Sequence, residues 1–492
     1  MLLAIGIPFA AAALIPLFHC WPNLRELVTL TAAAALAAVV WCLVGPVLDG
    51  VRLERHLMEI VPGFVLAFAI EPLGMLFALV AGSLWLVNSI YSIGYMRANG
   101  EPRQTSYYVC FAVALGATMG IAFAKNLVTL FLFYELLTLS TYPLVVHKAN
   151  EEAIRAGRTY LVLLLGSSMV LLLPAIFATW LLAGTTDFRA GGILPAELSG
   201  TLMAALLALY VFGIGKAAVM PLHFWLPAAM VAPTPVSALL HAVAVVKAGV
   251  FSILKVIVAV FGVERLASSG AATWLVWVAG FTVITASLIA LRQDNLKKRL
   301  AYSTVSQLSY VILAAAILTP ISVIGAALHI AAHAVAKITL FFCAGAIYTA
   351  AHKTEVSELD CIGYRMPWTM AAFAVGALGM IGLPPTAGFL GKWFILSGAT
   401  QTDQWVPVAV IILSTVLNAG YFLPIVVRAF FPAAELRAHA AGAAVARHTH
   451  EAEHGEAPWP MVLALLATAV ATLVLFFVPD IPLGLSNAML VR

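Results

Sequence analysis

The chain has 492 residues, 63% hydrophobic and only 10% charged, with a formal net charge of +4. Soluble domains carry about 25% charged residues, so this is not a soluble protein, and the small positive balance comes from scattered loop residues rather than a nucleic-acid-binding face. The five cysteines (Cys20, Cys42, Cys110, Cys343 and Cys361) form no CxxC pair, so no haem, iron–sulfur, metal or other cofactor site is expected.

The first run, MLLAIGIPFAAAALIPLF, lacks the basic start of a cleaved signal and reads as a retained helix. Beyond it, charge clusters and turn residues divide the chain into about 14 apolar spans. They fall near 2–20, 27–48, 71–95, 107–124, 126–147, 159–184, 200–225, 236–260, 271–291, 302–318, 321–350, 367–400 (interrupted), 405–430 and 459–478. Most reach the ~20 apolar residues a membrane helix needs, and no ~10-residue alternating segments suggest a β-barrel. The fold class is all-α: a polytopic membrane protein. The stretch VRLERHLMEI around His56 is long enough for a short interfacial helix.

Fifteen basic residues lie in odd-numbered loops against six in even-numbered ones, Lys255 being counted among the six. The positive-inside rule then puts the odd loops in the cytoplasm and both termini on the outer side of a cytoplasmic (inner) membrane. The stretch 437–458, with His439, His448, His450 and His454, reads as a solvated connection whose spacing fits no strong metal site.

Five ionisable residues stay inside the spans: Glu135, Lys216, Lys247, Lys337 and Lys392. Each would cost roughly 2.5–3.5 kcal/mol at mid-membrane, so they must pair, hydrate or change protonation. Burial penalises the charged form of Lys216 and a nearby carboxylate favours it, so a Glu135–Lys216 pair of variable separation would take up and release a proton. His329, His333 and Lys337 stand at i, i+4, i+8 in HIAAHAVAK, on one helix face. Imidazoles hold or pass protons near neutral pH, so this stripe reads as a relay. His223 and His241 are secondary candidates, and each histidine taken alone reads equally well as a packing residue.

Two spans are broken. The seventh carries GIGKAAVMPLHFWLP and the twelfth GLPPTAGFLGKW, each interrupted by Gly and Pro and each holding one lysine, Lys216 and Lys392. Corresponding interruptions in two halves point to a repeat architecture with its site at mid-membrane, where unwound backbone must face protein or water.

At these residues the chain resembles the proton-conducting antiporter-like membrane subunits of respiratory complex I, membrane-bound hydrogenases and Mrp cation/proton antiporters. FYELLTLSTYPLV, GIGKAAVMPLHFWLP, DNLKKRLAYSTVSQLSYV, HIAAHAVAKITLFFCAGAIY and GLPPTAGFLGKW carry the likeness, over roughly residues 70–430. Among these it most resembles the D-type Mrp subunits, on NSIYSIGYMRAN, its moderate length and Lys392 at the second break. The resemblance implies 14 helices with two five-helix inverted repeats. That gives an N-terminal three-helix segment (1–105), a first repeat of helices 4–8 (106–265), a second of helices 9–13 (266–435), and the His-containing stretch with the last helix (436–492). It also implies proton-path roles for Glu135, Lys216, Lys247 and Lys392, with His329, His333 and Lys337 on the histidine-bearing helix.

The expected function is proton translocation within a hetero-oligomeric Mrp-type antiporter, with other membrane subunits as partners, the bilayer as surroundings, and sodium as a second candidate ion. Alternatives are a proton-pumping subunit of a quinone oxidoreductase or hydrogenase, and a proton-admitting subunit of an inorganic-carbon uptake complex. No catalytic or redox site is expected in this chain itself.

Overall fold

The computed structural model describes residues 1–61, 63–431 and 455–490, so the histidines of 437–454 lie outside the described residues. Eleven helices among the described residues are long and apolar enough to cross a membrane, and three shorter apolar ones complete the fourteen expected spans. In chain order they are α1 (Leu2–Phe18), α2 (Pro22–Leu48), α3 (Pro72–Ala98), α4 (Gln104–Ala122), α5 (Leu127–Val145), α6 (Glu151–Ala183) and α7 (Gly200–Gly213). Then come α8 (Thr234–Phe261), α9 (Thr273–Arg292), α10 (Leu296–Ile317), α11 (Pro320–Ala351), α12 (Pro367–Ile381, resuming at Ala387–Gln401), α13 (Trp405–Phe430) and α14 (Trp459–Phe477).

Several helices begin earlier than their apolar runs. The Asn150 side chain accepts from Ala153 N at 2.8 Å, and Glu151 and Glu152 sit in the first turn of α6. Cap and acidic turn both favour a helix N-terminus, so the charged residues read as loop belong to the helix. Asn295 caps α10 the same way, accepting from Lys298 N at 3.1 Å. Lys255, counted above as a loop residue, lies inside α8. It is 2% exposed and paired to Glu71 at 3.1 Å.

No interfacial helix forms around His56. Glu54–Val61 and Phe64–Ala69 pair as an antiparallel hairpin, with Glu54 opposite Ala69 and His56 opposite Ala67. The Pro-Gly dipeptide at 62–63 separates two runs rich in strand-forming residues, and Gly63 takes φ +87°, which glycine adopts freely. The hairpin is pinned to the α4–α5 link and the first turn of α5: Ala67 N donates to Thr129 Oγ1 (3.0 Å), Asn126 Nδ2 to Val65 O (2.8 Å), and Lys125 pairs with Glu54.

The centre of the fold is α11, a 32-residue helix buried along most of its length. Tyr91 of α3 donates to Phe342 O (2.9 Å) and stacks on the Phe342 ring at 4.0 Å. The helix also packs on α8, α10, α12 and α14.

At one end, the loop after α11 is tied to the α9–α10 link. The Ser357 hydroxyl and amide donate to Asp294 at 2.6 and 3.0 Å, and together they hold its carboxyl below the ordinary carboxylate range. A carboxyl lowered in this way stabilises the fold above its unfolded pKa, and the contribution is lost as pH falls through the folded value. Asp294→Asn is therefore expected to speed amide exchange at Ser357 near neutral pH and to make little difference in acid. Equal exchange at neutral pH would count against it.

Candidate functional site

Lys216 sits in the break after α7, on a single 3-10 turn, Gly215–Ala217, followed by Ala218 at φ +55°. Its side chain is fully buried and reaches α5. Nζ donates to Tyr134 O (2.8 Å) and Thr138 Oγ1 (2.6 Å), and lies 3.2 Å from the Tyr134 ring centroid. Carbonyl, hydroxyl and aromatic face together replace much of the hydration an ammonium loses. Glu135, the next residue on α5, attracts the ammonium electrostatically but forms no salt bridge with it, and neither carboxylate oxygen has a hydrogen-bond partner. The expected pair is thus adjacent but apart.

The rest of the row is buried as well. Lys247 follows a π-helical turn of α8, Leu239–Val243, that carries His241. Its Nζ lies 2.5 Å from His333 Nδ1. On α11, the His333 and His329 rings stand 6.2 Å apart, and His329 Nε2 lies 2.9 Å from Gln307 Oε1 on α10. Gln307 Nε2 donates to Met380 O (3.3 Å), which also accepts from Lys392 Nζ at 3.2 Å. Lys392 donates to Ile381 O as well (2.8 Å) and lies 4.8 Å from the Tyr310 ring. The break in α12 creates these acceptors, because the last carbonyls of a helix have no partner within it.

A branch leaves from Lys337, which donates to Leu300 O (3.2 Å) and Ser303 Oγ (3.0 Å). Tyr421 OH donates to Asn418 Oδ1 and lies 3.3 Å from the same Ser303 hydroxyl, while the Asn418 amide nitrogen reaches Met380 O at 3.5 Å. Both routes from the histidine helix end on one carbonyl.

Five of the expected residues therefore form one buried row in two hydrogen-bonded segments, Lys247 with His333 and His329 with Lys337 and Lys392, separated by the 6.2 Å between the two histidine rings. Lys216 is joined to it by packing alone: a Cβ on Gly249 of α8 would lie 2.3 Å from Ala217 N and 2.4 Å from Lys216 C. Among the described residues no hydrogen bond links Lys216 to Lys247. His241 is fully buried with neither ring nitrogen hydrogen-bonded, its ring 4.8 Å from Phe341. His223 packs between Phe224 and Tyr302, with ring separations of 4.1 and 6.1 Å. Residue reading missed Gln307, Asn418 and Tyr421. For Gln307 a signal was present, because it is the lone amide in the charge-free run Tyr302–Ala336.

A helical membrane fold with two interrupted spans and a buried row of lysines and histidines defines the class: a polytopic membrane protein with a polar interior. A family described as NADH:quinone oxidoreductase/Mrp antiporter, TM, matches residues 124–418, and the chain belongs to that family. It is 31% identical to NADH-quinone oxidoreductase subunit N of Desulforudis audaxviator, over 83% of this chain and 81% of that protein. It is 30% identical to a Na(+)/H(+) antiporter subunit of Alkalihalophilus pseudofirmus, over 71% of this chain but only 45% of that longer protein. A chain of the Mrp complex from a Dietzia species superposes with a TM-score of 0.84 over 99% of this chain and 96% of that one; at 21% identity this likeness is one of fold.

Proposed function

We propose that this chain translocates protons as a membrane subunit of a multisubunit Mrp-type monovalent cation/proton antiporter. The observation that carries the reading is a buried polar row in two hydrogen-bonded segments, Lys247–His333 and His329–Gln307–Met380 carbonyl–Lys392, whose histidine rings are 6.2 Å apart. Glu135 and Lys216 form the first station, Lys247 the second, the His329/His333/Lys337 helix the third and Lys392 the last. Buried polar atoms without partners stand at these stations, both Glu135 oxygens, His329 Nδ1 and His333 Nε2, and at the neighbouring His241, both of its ring nitrogens. Each costs about 1–3 kcal/mol if left unsatisfied, which favours water at these points. The odd-numbered loops face the cytoplasm of an inner membrane in this reading, the two halves are inverted repeats, and sodium travels elsewhere in the complex.

The likeness to a quinone oxidoreductase subunit over four fifths of both chains supports a second reading, in which electron transfer elsewhere drives the same proton path. Purification of the native complex in vesicles separates the two. Proton uptake driven by an imposed sodium gradient, with small hydrophobic partner subunits, is the expected result. Proton uptake only during quinone reduction would replace the first reading by the second. Absence of any proton movement would sink both.

A further inference from the structure

We propose that Gln307 is a proton stop: its amide fixes which nitrogen of His329 is protonated and separates the Lys247–His333–His329 segment from Lys392. The inference rests on the proton-translocation reading above and adds to it a positioning residue and a direction.

One atom leaves no choice of role. The Met380 carbonyl can only accept, so the Gln307 atom facing it at 3.3 Å must be the amide nitrogen. The Gln307 oxygen therefore faces His329 Nε2 at 2.9 Å, and that nitrogen must carry the hydrogen. A neutral His329 then has its lone pair on Nδ1, which is buried and has no partner. At the other end, a charged Lys247 is donor only, so His333 Nδ1 accepts from it and the His333 hydrogen sits on Nε2. His333 Nε2 is also buried and unpartnered. One donor and one acceptor are thus left without partners on two rings whose centres are 6.2 Å apart. A single water between them would complete a wire polarised from Lys247 toward Gln307.

A proton then moves as follows. Lys247 gives one to His333 Nδ1 and becomes neutral. The His333 Nε2–H bond breaks, its proton passes to the water, and the water gives a proton to His329 Nδ1. His333 is left neutral in its other tautomer and His329 becomes an imidazolium, so charge and protons balance. There the transfer halts. An amide oxygen is too weak a base to take the Nε2 proton, and an amide N–H does not release one to a carbonyl.

Onward movement requires Gln307 to leave, and the site supplies a reason for it to do so. A carbonyl oxygen has two lone pairs, yet Met380 O is approached by Gln307, Lys392 and Asn418 at 3.3, 3.2 and 3.5 Å. The hold on Gln307 is therefore contested by Lys392 and Asn418. The other groups facing the histidine pair are Tyr310, its ring 5.6 Å from His329, His241 on α8, and the charges of Lys247, Lys337 and Lys392.

The test uses the assembled complex in vesicles, with two readouts. Nitrogen-15 spectra of histidine should show His329 in the Nε2–H tautomer in the native protein and a mixture in Gln307→Leu. Gln307→Glu keeps the size but can accept and pass on a proton, so passive proton leak without a driving gradient should rise roughly tenfold or more. A native His329 in the Nδ1–H form, an unchanged tautomer in Gln307→Leu, or an assembled Gln307→Glu complex without added leak would each overturn the proposal. If the native complex moved no protons, the transport reading would fall, while the spectra would still decide whether Gln307 fixes His329.

Discussion

Replacing Lys216 by methionine or alanine is expected to cut proton flux roughly tenfold or more while leaving the complex assembled. The two halves of that expectation rest on different atoms. The ammonium is fully buried and held only by a carbonyl, a hydroxyl and a ring face on α5. Removing it leaves none of these stranded. The Tyr134 carbonyl still accepts from Thr138 Oγ1 at 3.2 Å. Methionine keeps the apolar stem, but it leaves the buried Glu135 carboxylate without the cation that attracts it, and removing one member of a buried charge pair is destabilising whereas removing both is neutral or stabilising. Lys216→Met alone should therefore lower the melting temperature and combining it with Glu135→Gln should restore it, while flux is lost in both, a combination that a packing role does not produce. Glu135→Gln should lose flux comparably, because its carboxylate makes no hydrogen bond whose loss could unfold α5. Dye-reported acidification of vesicles, alongside native gels, reads both quantities. Full flux in assembled Lys216→Met would end the relay idea at its first station.

What could be read from residues alone divides along a physical line. Membrane spans are legible because every backbone polar group in hydrocarbon must be satisfied within its own segment, so length and apolar content suffice. The broken helices are legible because Gly and Pro beside a lysine are two costs borne in one place. Charged first turns misled the reading: Glu151 and Lys297 look like loop residues until a cap such as Asn150 or Asn295 is recognised. Lys255 misled it for the opposite reason, since its carboxylate partner, Glu71, lies on a distant part of the chain. The same blindness to long-range partners hid the character of Lys216. Sequence cannot tell whether an ammonium beside Glu135 takes the carboxylate or, as here, a backbone carbonyl of the residue before it. Gln307 escaped notice because an amide carries no charge, although its hydrogen bonds on both sides place it between the histidines and Lys392.

Adding one methyl group at Gly388 is expected to abolish transport without touching any ionisable residue. The two halves of α12 meet so closely that a Cβ on Gly388 would lie 1.8 Å from Gly379 O and 2.9 Å from Gly379 C. Both obstacles are backbone, so no side chain can swing aside, and Gly388→Ala must push the halves apart. Overpacking of a tight core costs about 1–3 kcal/mol. Its geometric consequence is more specific. Lys392 is one helical turn beyond Gly388, and its acceptors, Met380 O and Ile381 O, immediately follow Gly379. Separating the halves lengthens those two bonds together and disturbs the carbonyl shared with Gln307. Gly166→Ala on α6 is the control, since a Cβ there meets nothing within 4 Å and should be harmless or mildly stabilising. The variant pair should therefore part sharply: near-native flux and melting for Gly166→Ala, lost flux and lowered melting for Gly388→Ala. A Gly388→Ala complex with native flux would mean that Lys392 does not need the closely packed break to work, and the outlet would have to be sought elsewhere along the row.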